Sequence, residues 1–485
     1  MSALVLLPLV ACLVLAALTA SRRSPWLCRF GGLAAAATAL GSGIALSAAV
    51  LDGPPLTAGG LLRVDALSAF MLAVVGAVGL TATWGGLPTA DAPQQDWLFS
   101  TLVASFLGAM SLAVLADNLG VLWIAVEATT IATAFLVGHH RTRRSLEAAW
   151  KYVVLGSVGV AIAFLGLVLV YAATVAAGRP TLSWIVLTQG HLALDPSLLK
   201  VAGALAILGF ATKAGLAPMH SWLPDAHSQA PAPVSGLMSG VLLSVAFYAI
   251  LRVQAVVNPV LGPSLMRGLL VTAGLLSLTV AGGLILRQRD LKRMLAYSSI
   301  EHMGLLALAA AAGGTLAIAA ALLHVLGHGL AKSSLFVVSG RILTAEGTTK
   351  IADLRGLLTR RPGVAVPYLA GMAALLGLPP FSLFFSEVAI VVAGFQRGLG
   401  WVMAVAVVLL LVLFAGLARH SATMTLGTSG DTPARVASAA SPDPASHGPR
   451  APLVLALGVT AVIGFTAGPL STLLQQAATI LAGGR

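Results

Sequence analysis

Residues 213–252, KAGLAPMHSWLPDAHSQAPAPVSGLMSGVLLSVAFYAILR, interrupt an apolar chain with a charge, two prolines and a polar cluster. Lys213 lies in the apolar run ILGFATKAGLAP, and Pro218 and Pro224 then break the helical pattern. A charge inside a hydrophobic span is costly unless it is paired or hydrated, so it marks a functional site by default. Interrupted backbone at membrane depth is tolerated only where it is buried in protein or lines an aqueous cavity. A buried cation beside a broken helix predicts transport. The polar cluster consists of His220, Asp225 and His227.

The composition indicates a membrane protein, because 58% of the 485 residues are hydrophobic and only 9% are charged, against about 25% charged residues in soluble domains. The net charge of +12 comes from arginines in short loops, so it reports orientation in the bilayer and does not predict nucleic-acid binding. Two cysteines, Cys12 and Cys28, cannot hold an iron–sulfur cluster alone. No zinc-ligand spacing, dinucleotide fingerprint, phosphate loop or nucleophile elbow occurs, so we expect no metal, no cofactor and no redox centre in this chain.

The predicted fold is an all-α membrane protein with about 14 transmembrane helices, because apolar runs of roughly 18 to 25 residues can cross a bilayer. We read the short segment 181–196 as a loop with an interfacial turn, and the N-terminal run as a first span, not a cleaved signal. The predicted spans are 3–20, 31–51, 65–84, 97–116, 118–138, 147–175, 199–217, 232–254, 266–286, 291–312, 315–342, 364–392, 398–418 and 451–480.

Loop charges predict the orientation, since most lysines and arginines fall in loops on one side of these spans, which is then the cytoplasmic side. Both termini would therefore lie on the periplasmic side of a bacterial inner membrane. The loop before the last span is rich in Ser, Ala, Pro and Gly and reads as a flexible cytoplasmic loop.

A second interrupted span predicts internal repetition. In GLPPFSLFFSE, Pro379 and Pro380 break the apolar run and the ionisable Glu387 follows. Two broken spans five helices apart suggest inverted repeats. The predicted organisation is N-terminal helices in 1–117, a first half-channel in 118–254, a second inverted repeat in 266–418, the loop in 419–450 and a C-terminal transmembrane helix in 451–485.

Glu127 lies in the middle of NLGVLWIAVEATTIATAFLVG, without a cation within two turns of its own helix. Such a carboxyl can serve helix packing through a hydrogen bond, but an intramembrane carboxylate more often marks an ion or proton path. A partner ammonium could control its protonation, and Lys213 is the natural candidate.

The stretch HVLGHGLAKSS places His324, His328 and Lys332 four residues apart. Each step of four turns only ~40° around a helix, so all three share one face over ~12 Å. Imidazole exchanges protons near neutral pH, so this face predicts a proton path. A metal site from the two histidines would need a third ligand that the sequence does not show, and the neighbouring glycines alone would indicate close helix packing.

Several weaker candidates have structural alternatives. Glu147 and Lys151 read mainly as an ordinary helix pair spaced four apart. Glu301 and His302 in LKRMLAYSSIEHMG point in different directions, and their role in a proton path or in the scaffold stays open.

Four segments resemble one family: KAGLAPMHSWLPDAHSQAPAPVSGLMSG, LKRMLAYSSIEHMG, HVLGHGLAKSSLFVVSG and GLPPFSLFFSE. They are similar to the antiporter-like subunits of respiratory complex I (subunits L, M and N), group 4 nickel–iron hydrogenases and Mrp-type sodium/proton antiporters. With SLEAAWKY and YSSIEHMG, the chain looks most like hydrogenase-4 component F. The resemblance covers about residues 65–418.

This resemblance implies that Glu127 and Lys213 form the glutamate–lysine pair of the first half-channel. It further implies a central hydrophilic axis formed by His324, His328 and Lys332, ending at Glu387. One position departs from the family, because Ser244 stands where many members have lysine or histidine. A serine cannot hold a charge, which puts the link between the half-channels in doubt. The chain also lacks a long C-terminal lateral helix, which favours an M-, N- or F-like subunit.

The expected function is proton translocation within a redox-driven complex, with other membrane subunits and a peripheral hydrogenase or dehydrogenase arm as partners. A partner's redox reaction would separate Glu127 from Lys213 and send a proton along the histidines toward Glu387. The alternatives are an Mrp-type Na⁺/H⁺ antiporter subunit, an energy-coupling subunit for a soluble enzyme, and a scaffold with degenerate channels.

Overall fold

The computed structural model of the chain describes residues 2–87, 96–190, 192–427, 448–466 and 468–481. These residues are almost entirely helical, which confirms the predicted fold class. Helices satisfy backbone hydrogen bonds internally, as an apolar bilayer requires. In the described part of the chain, 12 helices are long and apolar enough to cross a membrane, or up to 13 if a bent C-terminal pair is one span. The count of 14 remains a prediction.

The helices of the first half begin at polar side chains that accept backbone hydrogen bonds. Asp65, Asn118 and Asp195 each cap a helix in this way, which stabilises a helix start by about 1 kcal/mol. The elements are α1 (Ser2–Arg22), α2 (Pro25–Leu51), α3 (Ala66–Gly85), α4 (Trp97–Leu115), α5 (Leu119–Val137), α6 (Arg143–Ala176), α7 (Trp184–Thr188), α8 (Pro196–Lys213) and α9 (Trp222–Gln229).

The second half contains the most enclosed helices of the molecule. A single π-helical turn, Met238–Leu242, joins α10 to α11, and this continuous segment and α13 are almost completely surrounded by other helices. The elements are α10 (Ala232–Leu237), α11 (Leu243–Leu261), α12 (Ser264–Ile285), α13 (Leu291–Ala312), α14 (Gly314–Glu346), α15 (Leu357–Arg360), α16 (Pro362–Leu375), α17 (Ser382–Gln396), α18 (Gly400–Leu426), α19 (Ala451–Phe465) and α20 (Gly468–Leu481).

The two predicted breaks are present, between α8 and α9 and between α16 and α17. In both, a glycine with positive φ turns the chain: Gly215 at +74° and Gly377 at +62°. Only glycine adopts this backbone region without a steric cost. The amide of the residue after each glycine donates to a carbonyl five residues back, at 3.0 Å in both cases. This shared local pattern supports the proposed relationship between 118–254 and 266–418, which remains a prediction.

Several segments differ from the sequence expectation. The single helix predicted over 451–480 consists of α19 and α20, which meet at 80°. The predicted loop 419–450 begins later, because α18 continues to Leu426. Most of that loop, 428–447, lies outside the described residues. A small hairpin that was not predicted pairs β1 (Leu56–Ala58) with β2 (Leu62–Val64). The interfacial turn predicted in 181–196 is α7.

A buried ion pair joins two helices near the end of the bundle. Arg252 of α11 is almost completely enclosed and donates to the Asp65 carboxylate at 3.0 Å. Its guanidinium lies 3.7 Å from the centre of the Trp184 ring. Arg252 falls within the predicted span 232–254, and the structure shows that its charge is paired inside the fold.

Candidate functional site

Lys213 is the last residue of α8, so its side chain projects from the point where the helix stops. The side chain is completely buried. Its Nζ donates hydrogen bonds to Thr130 Oγ1 at 2.7 Å and to Tyr152 Oη at 2.6 Å. A buried ammonium needs such partners, because an unpaired charge in a dry interior is very unfavourable. α5 and α6 therefore supply the polar surroundings of the break.

Glu127 lies one turn before Thr130 on α5 and contacts the same Thr130 hydroxyl as Lys213 does. Its carboxylate accepts from Thr130 Oγ1 at 3.1 Å and from Ser157 Oγ at 2.9 Å. Thr130 has a single hydroxyl hydrogen, so it accepts from Lys213 and donates to Glu127. The structure thus brings the predicted pair together through a hydroxyl bridge, not by a direct ion pair. We call Lys213, Thr130, Glu127, Ser157 and Tyr152 the lysine array.

A second group forms where α13, α14 and α17 meet. His302 Nδ1 lies 2.9 Å from His324 Nε2, and His324 Nδ1 lies 3.0 Å from Ser386 Oγ. Ser386 donates its own hydrogen to the Leu383 carbonyl at 2.9 Å. Ser386 must then accept from His324 Nδ1, which leaves His324 Nε2 as the acceptor for His302 Nδ1. The donors therefore run in one direction, from His302 through His324 to Ser386.

This assignment leaves His302 Nε2 as a bare acceptor, and no partner for it exists among the described residues. Both ring nitrogens of the fully buried His328 are equally unpartnered within the described ranges. The His328 ring centre lies 4.9 Å from that of His302 and 6.4 Å from that of His324. The sequence placed His324 and His328 on one face, and the structure adds His302 from the neighbouring helix.

Glu387 completes this group, which we call the histidine cluster: His302, His324, His328, Ser386 and Glu387. One ligand-type atom of Glu387, one of His302 and one of His324 all lie within 4.8 Å of one another. The carboxylate also packs on the second helix break, because a Cβ added at Gly377 would come within 2.5 Å of Glu387 Oε2. Of the two histidines considered for a metal site in the sequence, this group of possible ligands contains only His324, and its other two members come from other helices.

Lys332 lies one turn beyond His328 on α14 and is completely buried. Its Nζ donates to the Leu295 carbonyl at 2.6 Å and to the Ser298 hydroxyl, both on α13. Glu301 of α13 is also buried, and its Oε2 has no hydrogen-bond partner in the part of the chain that is described. α13 therefore contributes more to the predicted central axis than its sequence indicated.

His227 is fully buried and stacks on Phe336 of α14, with ring centres 4.8 Å apart. Neither of its ring nitrogens has a partner among the residues described. His220 is only partly buried and lies in the break between α8 and α9. Ser244 donates to the Gly240 carbonyl of its own helical segment at 3.0 Å. Its hydroxyl therefore does not connect the lysine array to the histidine cluster.

The remaining candidates form an ion-pair network at one surface. Lys151 contacts Glu147 at 2.8 Å and Asp225 at 3.2 Å, and Arg293 contacts Asp225 at 2.8 Å. Glu147 and Lys151 are well exposed, and exposed pairs contribute little stability. This supports the ordinary helix-pair reading for Glu147 and Lys151, whereas Asp225 connects α9 to α6 and α13.

The sequence did not predict the hydroxyl groups of the lysine array and the histidine cluster. Thr130 follows Glu127 by three residues, which is the spacing of neighbours on a helix surface, so a local signal existed. Tyr152, Ser157 and Ser386 had no comparable signal, because the hydrogen bonds that join them to Lys213, Glu127 and His324 cross between helices.

The similarities of this chain to known proteins agree with this architecture. Residues 116–413 match the family described as NADH:quinone oxidoreductase/Mrp antiporter, TM. A hydrogenase-4 component F homolog from Methylacidiphilum infernorum is 40% identical over 311 residues, which is 63% of this chain and 65% of that relative. An NADH-quinone oxidoreductase subunit N from Desulforudis audaxviator is 30% identical over 400 residues, covering 79% and 78% of the two chains.

Solved structures show the same fold. A chain of the membrane-bound sulfane sulfur reductase, an archaeal respiratory membrane complex, superposes with a TM-score of 0.87 at 26% identity, covering 99% of this chain and 97% of that one. A chain of respiratory complex I from Thermus thermophilus gives 0.75 at 25% identity, with coverages of 99% and 100%. The resemblance expected from the motifs is confirmed. This chain belongs to the NADH:quinone oxidoreductase/Mrp antiporter transmembrane family.

Proposed function

We propose that this chain moves protons across a membrane as a subunit of a redox-driven complex. The observation that carries the proposal is that the lysine array and the histidine cluster each lie beside a break in a helix. Ionisable groups inside a membrane protein are rare and mark ion or proton paths. This chain offers a buried lysine at one break and buried imidazoles with a carboxyl at the other.

The lysine array would load and release the proton. Lys213 and Glu127 share Thr130, so the carboxylate stabilises the ammonium through a bridge that a small displacement can open. Without its counter-charge, an ammonium in a buried site releases its proton more readily. Glu127 is only partly buried on α5, so a neighbouring subunit at that face could draw it away from Thr130.

The proton would then pass to Lys332 and the histidine cluster. Since the Ser244 hydroxyl is bonded within its own helix, we place His227 between the lysine array and the histidine cluster on the proposed path. It follows the break that begins at Lys213, and it stacks on Phe336 one turn beyond Lys332. The path would continue through His328, His324 and His302 to Glu387.

The names of two relatives support the proposed partners, and the loop charges support the proposed orientation. Their names assign them to a hydrogenase and to NADH-quinone oxidoreductase, so we propose neighbouring membrane subunits and a peripheral redox arm that supplies the energy. The proposed location is the bacterial inner membrane, with both termini on the periplasmic side.

The test is Lys213→Met in inverted membrane vesicles that contain the intact complex. We expect proton uptake driven by the redox substrate to be lost. The matched control is Lys200→Met, which removes an exposed lysine from the same helix and should leave uptake unchanged. Normal uptake by the Lys213 variant would refute the proposal, and uptake that required Na⁺ would indicate the antiporter function instead.

A further inference from the structure

Two imidazoles and a carboxyl from three helices meet inside the histidine cluster. His302 belongs to α13, His324 to α14 and Glu387 to α17, and their ligand-type atoms lie within 4.8 Å of one another. Two histidines with one glutamate are a ligand set that holds Zn²⁺ in proteins and leaves a fourth position open. We propose that these residues form a binding site for a transition-metal dication of the Zn²⁺ type, and that occupancy of this site stops proton movement.

Unused lone pairs at this place support the proposal independently of the distances. A metal-binding imidazole must be neutral and must direct a lone pair at the ion. The hydrogen-bond order leaves His302 Nε2 with such a lone pair, without a partner in the described residues. His328, whose ring centre is 4.9 Å from that of His302, has two unpartnered nitrogens in the described structure and could occupy the open position.

The surroundings of His324 also suit a metal ligand. Histidines that bind metals usually donate their second ring N–H to an oxygen, which fixes the tautomer and orients the ring. His324 Nδ1 already donates to Ser386 Oγ, and Ser386 is itself held by the Leu383 carbonyl. The Nε2 atom that remains is the one that lies toward His302.

The rearrangement required for binding is small. Ligands at about 2.0–2.2 Å from zinc lie roughly 3.4 Å from one another in a tetrahedron. Since the three ligand-type atoms already lie within 4.8 Å of one another, no two of them need to approach by more than about 1.5 Å. The Glu387 carboxylate makes no hydrogen bond to any described residue and is only partly buried, which leaves it able to move. The metal would replace the hydrogen bond between His302 Nδ1 and His324 Nε2. His302 must then either turn its unprotonated Nε2 toward the ion or move its ring proton from Nδ1 to Nε2, because only an unprotonated nitrogen can bind a metal.

The ligand set selects among ions. Imidazole favours Zn²⁺, Cu²⁺ and Ni²⁺, whereas Mg²⁺ and Ca²⁺ require oxygen ligands. The ion would therefore be a regulator and not the transported species. Inhibition rests on the proposed function, because the metal would fix three residues of the proposed proton path, His302, His324 and Glu387. Binding itself does not depend on that function.

The experiment titrates ZnCl₂ into the full-length chain in lipid nanodiscs and measures binding by calorimetry and coordination by zinc X-ray absorption. We expect one ion per chain with at least two imidazole nitrogens and oxygen at about 2.0–2.2 Å. His302→Gln and Glu387→Gln should each weaken binding by about tenfold or more. His420→Gln is the control, since His420 lies on α18 and bonds the Ile285 carbonyl; it should bind as the wild type does.

Glu387→Asp keeps the charge and shortens the reach, so an intermediate affinity would support the site even if the glutamine variants folded poorly. Absence of binding by the wild type would overturn the inference, as would equal binding by the wild type and both glutamine variants. Proton uptake is measured separately, in chelator-treated vesicles. Normal uptake without zinc binding refutes only the metal site, and zinc binding without uptake refutes only the proposed function.

Discussion

Lys213 and Glu127 are joined through one threonine hydroxyl, with Thr130 Oγ1 at 2.7 Å from the lysine Nζ and 3.1 Å from the carboxylate. A direct buried ion pair would hold the proton in a deep electrostatic minimum. A hydroxyl bridge keeps the two charges coupled while it allows either hydrogen bond to open separately. Such an arrangement suits a pair that must alternate between two states.

Removal of this bridge should uncouple the pair. Thr130→Val retains the side-chain shape but removes the hydroxyl, so we expect redox-driven proton uptake in vesicles to fall by about tenfold or more, since positioned proton-transfer groups contribute at least that much. Thr129→Val is the matched control, because the neighbouring hydroxyl bonds only the Val126 carbonyl of its own helix. Equal uptake in the two variants would contradict the role of Thr130.

Tyr152 should stabilise the buried ammonium. Tyr152→Phe removes the hydroxyl that accepts from Lys213, and hydrogen bonds to charged groups contribute about 1.5–3 kcal/mol. We expect a lower midpoint in thermal unfolding of the detergent-solubilised chain. Tyr171→Phe changes an exposed tyrosine of the same helix and should have no effect, so similar midpoints for the two variants would count against this contact.

The Asp65–Arg252 pair should hold α3 against α11. Arg252→Met leaves the Asp65 carboxylate buried without its cation, and breaking a buried pair in this way costs about 3–5 kcal/mol. We expect a large fall in thermal stability that Asp65→Asn partly restores in the double variant. Arg179→Met, at an exposed position, is the control. An unchanged unfolding midpoint for Arg252→Met would show that the pair does not stabilise the fold.

The second break should tolerate no side chain. Gly377→Ala adds a Cβ at a positive φ and within 2.5 Å of Glu387 Oε2, so it should both destabilise the chain and lower proton uptake. Gly398→Ala is the matched control, with a φ of +76° and no atom within 4 Å of the added Cβ. It should cost only the backbone strain of about 1–2 kcal/mol and leave uptake unchanged, whereas parallel losses in both variants would argue against the contact with Glu387.

The positions of the breaks were predictable because their causes are local. Lys213 lies close in sequence to the prolines that follow it, and Glu387 lies close to Pro379 and Pro380. The fold of 451–480 was predicted incorrectly as one helix, since an apolar run reports length and hydrophobicity but not the bend between α19 and α20.

By itself, the sequence determined that the chain is a helical membrane protein, where two of its spans break, and that His324, His328 and Lys332 share one helical face. These properties depend on hydropathy, helix breakers and the period of a single helix. Only the tertiary structure decided that Thr130 separates Glu127 from Lys213, that His302 and Glu387 join His324, and that Arg252 is buried. Each of these depends on the register between packed helices, which the periodicity of one helix does not contain.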